Sequence, residues 1–211
     1  DIKSLYKISK KLGIKLIIDV TQAAGAIPIN VKNFKCDALI CSGYKWLGGH
    51  GGVGLAVLSN ELIKSTPLMP GWMGARNPFD ISHQELDLAE GAKRFTQSTM
   101  SYISLKGLEV SIQEILKIGV DNIDNHAQRL KRYFLSHLNK SNFQTFHQKN
   151  IPTSSHIVSI FDPKKNISRA AKLLSKNNIF CSIRNGYLRV SFAHYNNQSD
   201  IDKLLSILKE D

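Results

Sequence analysis

The chain has 211 residues, of which 42% are apolar and 21% charged. A chain of this length and composition buries a hydrophobic core without disulfides or a structural metal, which excludes small stapled, collagen-like and linker-dominated proteins. Lysine and arginine number 28 against 17 aspartate and glutamate, a net charge of +11. Because the basic residues are scattered and no recognition motif is present, we interpret this charge as a lysine-rich surface and expect no nucleic-acid partner.

The cysteines Cys36, Cys41 and Cys181 indicate a reducing compartment. Their number is odd and they form no CxxC pair, so they match neither a disulfide framework nor a zinc site. The sequence contains no apolar run near the roughly 20 residues that cross a bilayer, and no signal peptide is visible. We therefore expect a cytoplasmic protein with neither a metal nor a membrane partner. Because Asp1 opens directly into a helical pattern, we also expect the chain to be truncated, with an upstream part missing.

The first elements follow an α/β pattern. Apolar residues recur at helical spacing over 2–12, and Gly13 is suited to end that helix. The run 14–20 is nearly continuous in apolar residues, which predicts a strand buried on both faces of a parallel sheet. A second strand over 36–42, a glycine-rich loop and a third strand over 54–58 follow. This order predicts an α/β fold with a mostly parallel sheet.

The later part of the chain has a different pattern. Helical spacing extends from about 101 to 138, and shorter alternating segments follow it. Among these, the sequence predicts a β-hairpin about the turn Asn185-Gly186. We therefore expect a partial large domain over 1–109 and a small α+β domain over 110–211.

A carboxylate lies at the end of the first predicted strand. Asp19 is costly there unless it meets a cationic partner, and Gln22 follows it in the connecting turn. Ligands of open α/β sheets bind outside the carboxyl ends of the strands, which makes Asp19 a candidate site residue. The alternative is that Asp19 caps a helix.

A lysine follows the end of the second predicted strand. Lys45 lies three residues beyond Ser42, between Tyr44 and Trp46 and ahead of four closely spaced glycines. Apolar neighbours favour the neutral amine, which is the nucleophilic form, and glycines let backbone approach a bound group closely. No GxxxxGK[ST] motif is present, so the loop is not a nucleotide-binding P-loop.

An acid and a lysine at neighbouring strand ends meet the requirements of pyridoxal phosphate. Its ring nitrogen needs a carboxylate and its aldehyde needs a lysine amine. Its phosphate needs hydroxyls and backbone N–H groups, which Ser42 and the following loop offer.

Four motifs extend this interpretation. In chain order they are DVTQAAG, CSGYKWLGGHGGVG, KRFTQST and YLRVSFAHYNN. With them, the whole chain resembles the class V aminotransferase-fold enzymes, which include cysteine desulfurases, isopenicillin N epimerase-like proteins and kynureninases. The resemblance implies the C-terminal part of a pyridoxal-phosphate-dependent transferase large domain, followed by the small domain. It also implies an enzyme that acts on an amino acid through a lysine Schiff base.

The resemblance implies a role for each matching residue of the first two motifs. Asp19 matches the aspartate that pairs with the pyridine nitrogen, and Gln22 matches the residue that hydrogen-bonds the phenolic oxygen. Thr21 falls where the family places a small residue against the ring. Ser42 matches a phosphate-binding serine, and Lys45 matches the imine-forming lysine.

Further roles follow from the same resemblance. Tyr44 stands where desulfurases usually have histidine and kynureninase-like members have tyrosine. Thr99 matches a threonine that reaches the phosphate in the partner subunit's site, which implies a homodimer. Arg189 matches the arginine that binds the substrate carboxylate, a task for which a planar guanidinium is suited.

The chain departs from the desulfurase pattern at its cysteines. Desulfurases carry a catalytic cysteine on a loop upstream of the arginine, whereas Cys181 lies in a predicted strand, so we expect it to be a packing residue. Transamination, desulfuration, racemisation and elimination stay open. So does a second hypothesis, that this chain is a non-catalytic remnant or interaction module retaining the fold, because the family's first phosphate-binding turn and ring-stacking residue would precede Asp1.

Overall fold

The structure, a computed structural model, falls into two compact units. They span Asp1–Lys117 and Ile118–Asp211, and each is described by itself. The residues that the structure describes are 1–33, 35–80, 82, 85, 87–138, 142–146, 156–164 and 167–210. The predicted domains meet at residues 109 and 110, a position that lies inside the continuous helix α3, Tyr102–Ile118.

The first unit begins with helix α1, Ile2–Lys11, as predicted. The Asp1 side chain caps it by accepting a hydrogen bond from the Lys3 N–H at 3.0 Å. Strand β1 is only Ile17–Asp19 and Ile17 is 57% exposed, so the prediction of a longer strand buried on both faces is wrong. Because β1 is the outer strand of its described sheet, only one of its edges has a neighbour.

The sheet of the first unit is mixed rather than mostly parallel. Strand β2, Ala38–Ser42, lies at its centre and pairs in parallel with β1, with Asp19 opposite Ile40. Strand β3, Gly54–Leu58, pairs antiparallel to β2. The carboxyl ends of β1 and β2 therefore lie at one edge of the sheet, together with the start of β3.

A short helix α2, Asn60–Ile63, and an irregular region follow the sheet. This region contains two 3₁₀ turns, Trp72–Gly74 and Gly91–Phe95. Its two halves approach so closely that a Cβ on Gly71 would lie 1.8 Å from the Gln97 carbonyl oxygen, which excludes any other residue there. Across the described part of the chain, the helices are too short or too polar to cross a membrane.

Within its described residues, the second unit packs three helices on an antiparallel sheet of four strands. Its four strands have the order β4-β5-β7-β6, and the β6–β7 hairpin turns at Asn185 and Gly186 with φ of 49° and 79°, which confirms the predicted turn. The helices are α4, Val120–Leu138; α5, Ile167–Lys176; and α6, Gln198–Glu210. The strands are β4, Gln144–Thr145; β5, Ile157–Phe161; β6, Ser182–Arg184; and β7, Tyr187–Ser191. Phe134, Ile160 and Leu188 are fully buried in the core between these layers.

A buried carboxylate ties together the amino ends of β1 and β2. Asp37 is 1% exposed, accepts a hydrogen bond from the Leu16 N–H at 2.8 Å and pairs with Lys10 at 3.1 Å. Lys15 lies 3.8 Å from the same carboxylate, and Glu61 pairs with both lysines. Burial alone would raise the pKa of Asp37, but the Leu16 N–H and the lysines outweigh it and hold this pKa below its usual value.

We predict that Asp37→Asn destabilises the chain by about 2 kcal/mol, because a hydrogen-bonded charge in a buried position is lost. Since the pKa of Asp37 is lower in the folded than in the unfolded chain, its contribution is complete at neutral pH. It is lost as the pH falls below about 4. Denaturant unfolding at pH 7 and pH 3 checks both statements.

The control for this prediction is Glu61→Gln, because the Glu61 side chain is 61% exposed and exposed ion pairs contribute little. We expect a much smaller loss from it. Equal losses in the two variants, or a loss in Asp37→Asn that does not depend on pH, would contradict the role given to Asp37.

Candidate active site

The carboxyl ends of β1 and β2 bring four predicted site residues together. Asp19 ends β1 and Ser42 ends β2, and the Val20 N–H donates to the Ile40 carbonyl at 2.8 Å between them. Thr21 follows the first strand and Lys45 the second. We call Asp19, Thr21, Ser42 and Lys45 the strand-end group.

Thr21 connects the two strands. Its side chain is buried, and its Oγ1 accepts a hydrogen bond from the Ser42 N–H at 3.0 Å. Its own N–H donates to Asp19 Oδ1 at 2.8 Å. The Thr21 hydroxyl and then its N–H lower the pKa of Asp19, and the positive charge of Lys45 lowers it further. Asp19 is therefore ionised at neutral pH and in electrostatic range of the lysine.

Lys45 lies on a tight glycine turn. The Gly49 N–H donates to the Gly43 carbonyl at 2.8 Å, and the Gly48 N–H donates to the Lys45 carbonyl at 3.0 Å. The Lys45 side chain is exposed, with its Nζ 5.6 Å from the centre of the Tyr44 ring. The sequence interpretation expected apolar surroundings that favour the neutral amine. The structure corrects this, because the amine meets solvent and one aromatic face.

The turn after β1 fits against the residue that follows Lys45. Gln22 Oε1 accepts a hydrogen bond from the Trp46 indole N–H at 3.1 Å. Gly25 has φ of +88°, and a Cβ on it would lie 2.5 Å from the Trp46 carbonyl oxygen. The turn and the lysine loop therefore hold each other in place, a role that the sequence analysis gave to neither Trp46 nor Gly25.

Helix α3 supports the lysine loop from behind. The Ser111 hydroxyl donates to the Gly48 carbonyl at 2.9 Å. A Cβ on Gly49 would lie 2.8 Å from Leu108 Cδ1, so the glycine permits the loop to lie directly on the helix. The position of Lys45 thus depends on residues more than sixty positions later in the chain, which no local motif reveals.

Two further predicted site residues of the first unit, Tyr44 and Thr99, are exposed. Tyr44 is 55% exposed, and its ring faces the Lys45 amine. Thr99 is exposed in the segment before α3, and within the described residues no hydrogen bond joins it to the strand-end group.

Arg189 belongs to the second unit. It lies on β7, paired with Ser159 of β5 and Ser182 of β6. It lines a groove of about 640 Å³ that Cys181 and Asn196 also line. Cys181 directly precedes β6 and is half-buried, and burial raises the pKa of its thiol to about 11.

Taken together, the fold and the strand-end group give an α/β protein with a candidate ligand site at the carboxyl edge of its first sheet. The family model of class V aminotransferases matches residues 1–204. The chain belongs to the class V aminotransferase family, and that membership implies pyridoxal phosphate as cofactor.

Individual relatives agree with this assignment. An uncharacterized aminotransferase of Bacillus subtilis is 28% identical over 202 residues, which cover 95% of this chain and 52% of the relative. A probable cysteine desulfurase of Pyrococcus abyssi is 25% identical over 223 residues, covering 100% of this chain and 55% of the relative. The solved apo cysteine desulfurase of Thermococcus onnurineus superposes with a TM-score of 0.86 at 25% identity, covering 100% of this chain and 55% of that one. The chain therefore spans about half the length of the proteins it matches.

We predict that Thr21→Val raises the pKa of Asp19, because the hydroxyl that stabilises the carboxylate is lost. It also leaves the Ser42 N–H without its acceptor, which costs about 1–3 kcal/mol of folding free energy. The pKa is measured by an NMR pH titration of the Asp19 carboxyl carbon, and the stability by thermal unfolding.

Thr21→Ser is the matched control, because it keeps the hydroxyl and removes only the methyl group. We expect the pKa of Asp19 to be nearly unchanged in this variant. If the valine variant also leaves that pKa unchanged, the Thr21 hydroxyl does not control the charge of Asp19.

Proposed function

We propose that this chain carries the cofactor site of a pyridoxal-phosphate-dependent enzyme of the class V aminotransferase type, which acts on an amino acid as a transferase or lyase. One observation carries the proposal. A parallel strand pair and the Thr21 hydrogen bonds place an ionised carboxylate and a lysine at the same edge of a sheet.

The residues present fit the cofactor by their chemistry. Asp19 is held ionised, as pairing with a protonated ring nitrogen requires. Lys45 is exposed and so is accessible to an aldehyde. Gln22 turns its amide oxygen toward Trp46, which makes its amide nitrogen the end suited to donate to a phenolic oxygen. The Ser42 hydroxyl is suited to the phosphate.

When bound, pyridoxal phosphate supplies an electron sink that stabilises negative charge at the α-carbon of an amino acid. In the proposed site, Asp19 would hold a proton on the ring nitrogen and Lys45 would hold the cofactor at its aldehyde carbon. While it is not bonded to the cofactor, the Lys45 amine would be suited to take a proton from the substrate and return it. Thr21 orients Asp19 and fixes the spacing between the two strand ends.

Arg189 is proposed to bind the carboxylate of the amino-acid substrate. Its partners in the register of β5 and β6 are the serines Ser159 and Ser182. A planar guanidinium is suited to bind a carboxylate through two parallel hydrogen bonds.

The proposed assembly is a homodimer, in which Thr99 reaches the phosphate in the partner's site. The segment after Thr99 supports a contact with a second copy, because Met100, Tyr102 and Ile103 are all exposed. Apolar side chains exposed together in this way are typical of a protein interface.

Among the family's reactions, the cysteines favour those that need no sulfur carrier on this chain. Cys36 and Cys181 are half-buried and Cys41 is buried. Burial raises the pKa of all three thiols, so each is protonated at neutral pH and a poor nucleophile. We therefore propose transamination, racemisation or elimination rather than storage of sulfur as a persulfide.

We predict that borohydride reduction in the presence of pyridoxal phosphate attaches the cofactor to Lys45. Peptide mapping by mass spectrometry should find one modified lysine at a stoichiometric cofactor concentration, because Lys45 lies with Asp19 and Ser42 in the strand-end group. In Lys45→Ala the modification should disappear while the circular dichroism spectrum is unchanged.

Lys32→Ala, which removes an exposed lysine elsewhere in the first unit, should retain full modification. Labelling spread equally over surface lysines in all three proteins would contradict the proposal. It would favour the alternative that this chain is a non-catalytic module with the family fold.

We predict that Arg189→Ala weakens binding of an amino acid by about 30-fold, since the half-buried guanidinium that would donate charged hydrogen bonds to the carboxylate is lost. The decarboxylated amine of the same amino acid should bind equally well to both proteins. Arg189→Lys should recover only part of the affinity, because an ammonium group cannot form the paired contact. Equal losses for the amino acid and the amine, measured as Kd by calorimetry, would place Arg189 outside the carboxylate site.

A further inference from the structure

The Asn196 side chain makes two of the hydrogen bonds that hold the turn between β7 and α6, residues 193–197. Asn196 Oδ1 accepts from the Ala193 N–H at 3.0 Å, and the Asn196 N–H donates to the Ala193 carbonyl at 3.1 Å. Asn196 Nδ2 donates to Asp200 Oδ2 at 3.2 Å, and this oxygen also accepts from the Asn197 N–H at 3.0 Å. Asn196 thus closes the turn and fastens it to the first turn of α6.

A histidine of a different helix completes this network. His126 lies on α4, and its Nε2 is 2.8 Å from the Asn196 carbonyl oxygen. Its Nδ1 is 3.4 Å from an Arg129 guanidinium nitrogen. A carbonyl only accepts and a guanidinium only donates, so the neutral ring with its hydrogen on Nε2 satisfies both contacts. Each hydrogen-bonding group of Asn196 then has a partner.

The same turn forms one wall of the groove that contains Arg189. Tyr195, Asn196 and Asp200 line this groove together with Arg189. Because Asn196 holds the turn and His126 holds the Asn196 carbonyl, the position of this wall depends on a residue of α4 that itself does not line the groove.

We infer that His126 is a positioning residue of the substrate groove. It acts by fixing the turn 193–197 in the place where that turn shapes the groove beside Arg189. The inference rests on the proposed function in one respect, that Arg189 binds the substrate carboxylate. The sequence analysis gave His126 no role, because a single histidine within an amphipathic helix matches no catalytic or metal-binding pattern.

The burial of His126 distinguishes this positioning role from a general contribution to the stability of the fold. Helix α4 is anchored in the core through Ala127, Leu130 and Phe134, which are buried, whereas His126 is only half-buried. Loss of its hydrogen bond should therefore loosen the turn while the helix stays packed.

The test compares three variants of the full chain. His126→Phe keeps a planar ring and removes the donor, and His126→Gln supplies a side-chain N–H donor in its place. His137→Phe is the matched control, since His137 lies on the same helix but contacts the Tyr133 carbonyl of that helix. If His126→Phe does not fold, His126→Leu replaces it.

The first readout is amide hydrogen exchange measured by NMR. We expect His126→Phe to speed exchange at Ala193 and Asn197 by about tenfold, while amides in the middle of α4 keep their protection. His126→Gln should restore most of the protection, and His137→Phe should leave both amides unchanged. Unchanged exchange at Ala193 and Asn197 in His126→Phe would overturn the inference.

The second readout is the affinity for a carboxylate, followed through the Arg189 Nε–H resonance during a titration with L-alanine. We expect about fivefold weaker binding in His126→Phe and recovery in His126→Gln. Equal affinity in all variants would overturn the link between the turn and the groove. A third outcome is that L-alanine does not shift the Arg189 Nε–H resonance of the unaltered chain, while amide exchange at Ala193 and Asn197 changes as described. This outcome would support the effect of His126 on the turn and would overturn the carboxylate role of Arg189.

Discussion

The hydrogen bond from the Ser42 N–H to the Thr21 hydroxyl is the contact on which the candidate active site depends. It joins the second residue after β1 to the last residue of β2, at a distance of 3.0 Å. The same threonine stabilises the Asp19 carboxylate through its hydroxyl and its backbone N–H. The buried Thr21 side chain therefore sets both the spacing of the strand ends and the charge of Asp19. The loop that contains Lys45 begins directly after Ser42, the residue whose N–H Thr21 binds.

The two ends of the first sheet use charge in different ways. At the amino ends, Asp37 is enclosed by the Leu16 N–H and two lysines, so its charge contributes to folding. At the carboxyl ends, Asp19 is exposed and meets the single cation Lys45 at longer range. A carboxylate that is ionised but not enclosed by cations keeps the capacity to pair with a ligand, which favours the carboxyl edge as the proposed cofactor site.

Much of this arrangement was predictable from sequence, because short motifs encode local geometry. The glycine-rich run after Ser42 and the turn Asn185-Gly186 specify backbone conformations directly, and strand-end positions placed Asp19 and Lys45 at the same edge. The features that the sequence did not predict depend on contacts between residues far apart in the chain. The Trp46–Gln22 hydrogen bond and the contact of His126 with Asn196 join residues that lie 24 and 70 positions apart in the chain. The exposure of Lys45 depends on which residues surround its loop. The antiparallel pairing of β3 was also missed, since its apolar run suits either direction.

The measurement that tests the central claim most directly is NMR mapping of the pyridoxal phosphate site on the uniformly ¹⁵N-labelled chain. If the strand-end group holds the cofactor, the backbone amides of Thr21, Gln22, Ser42 and Gly43 shift together and saturate at one equivalent. Shifts confined to residues beside scattered surface lysines, with these four amides unchanged, would contradict the account.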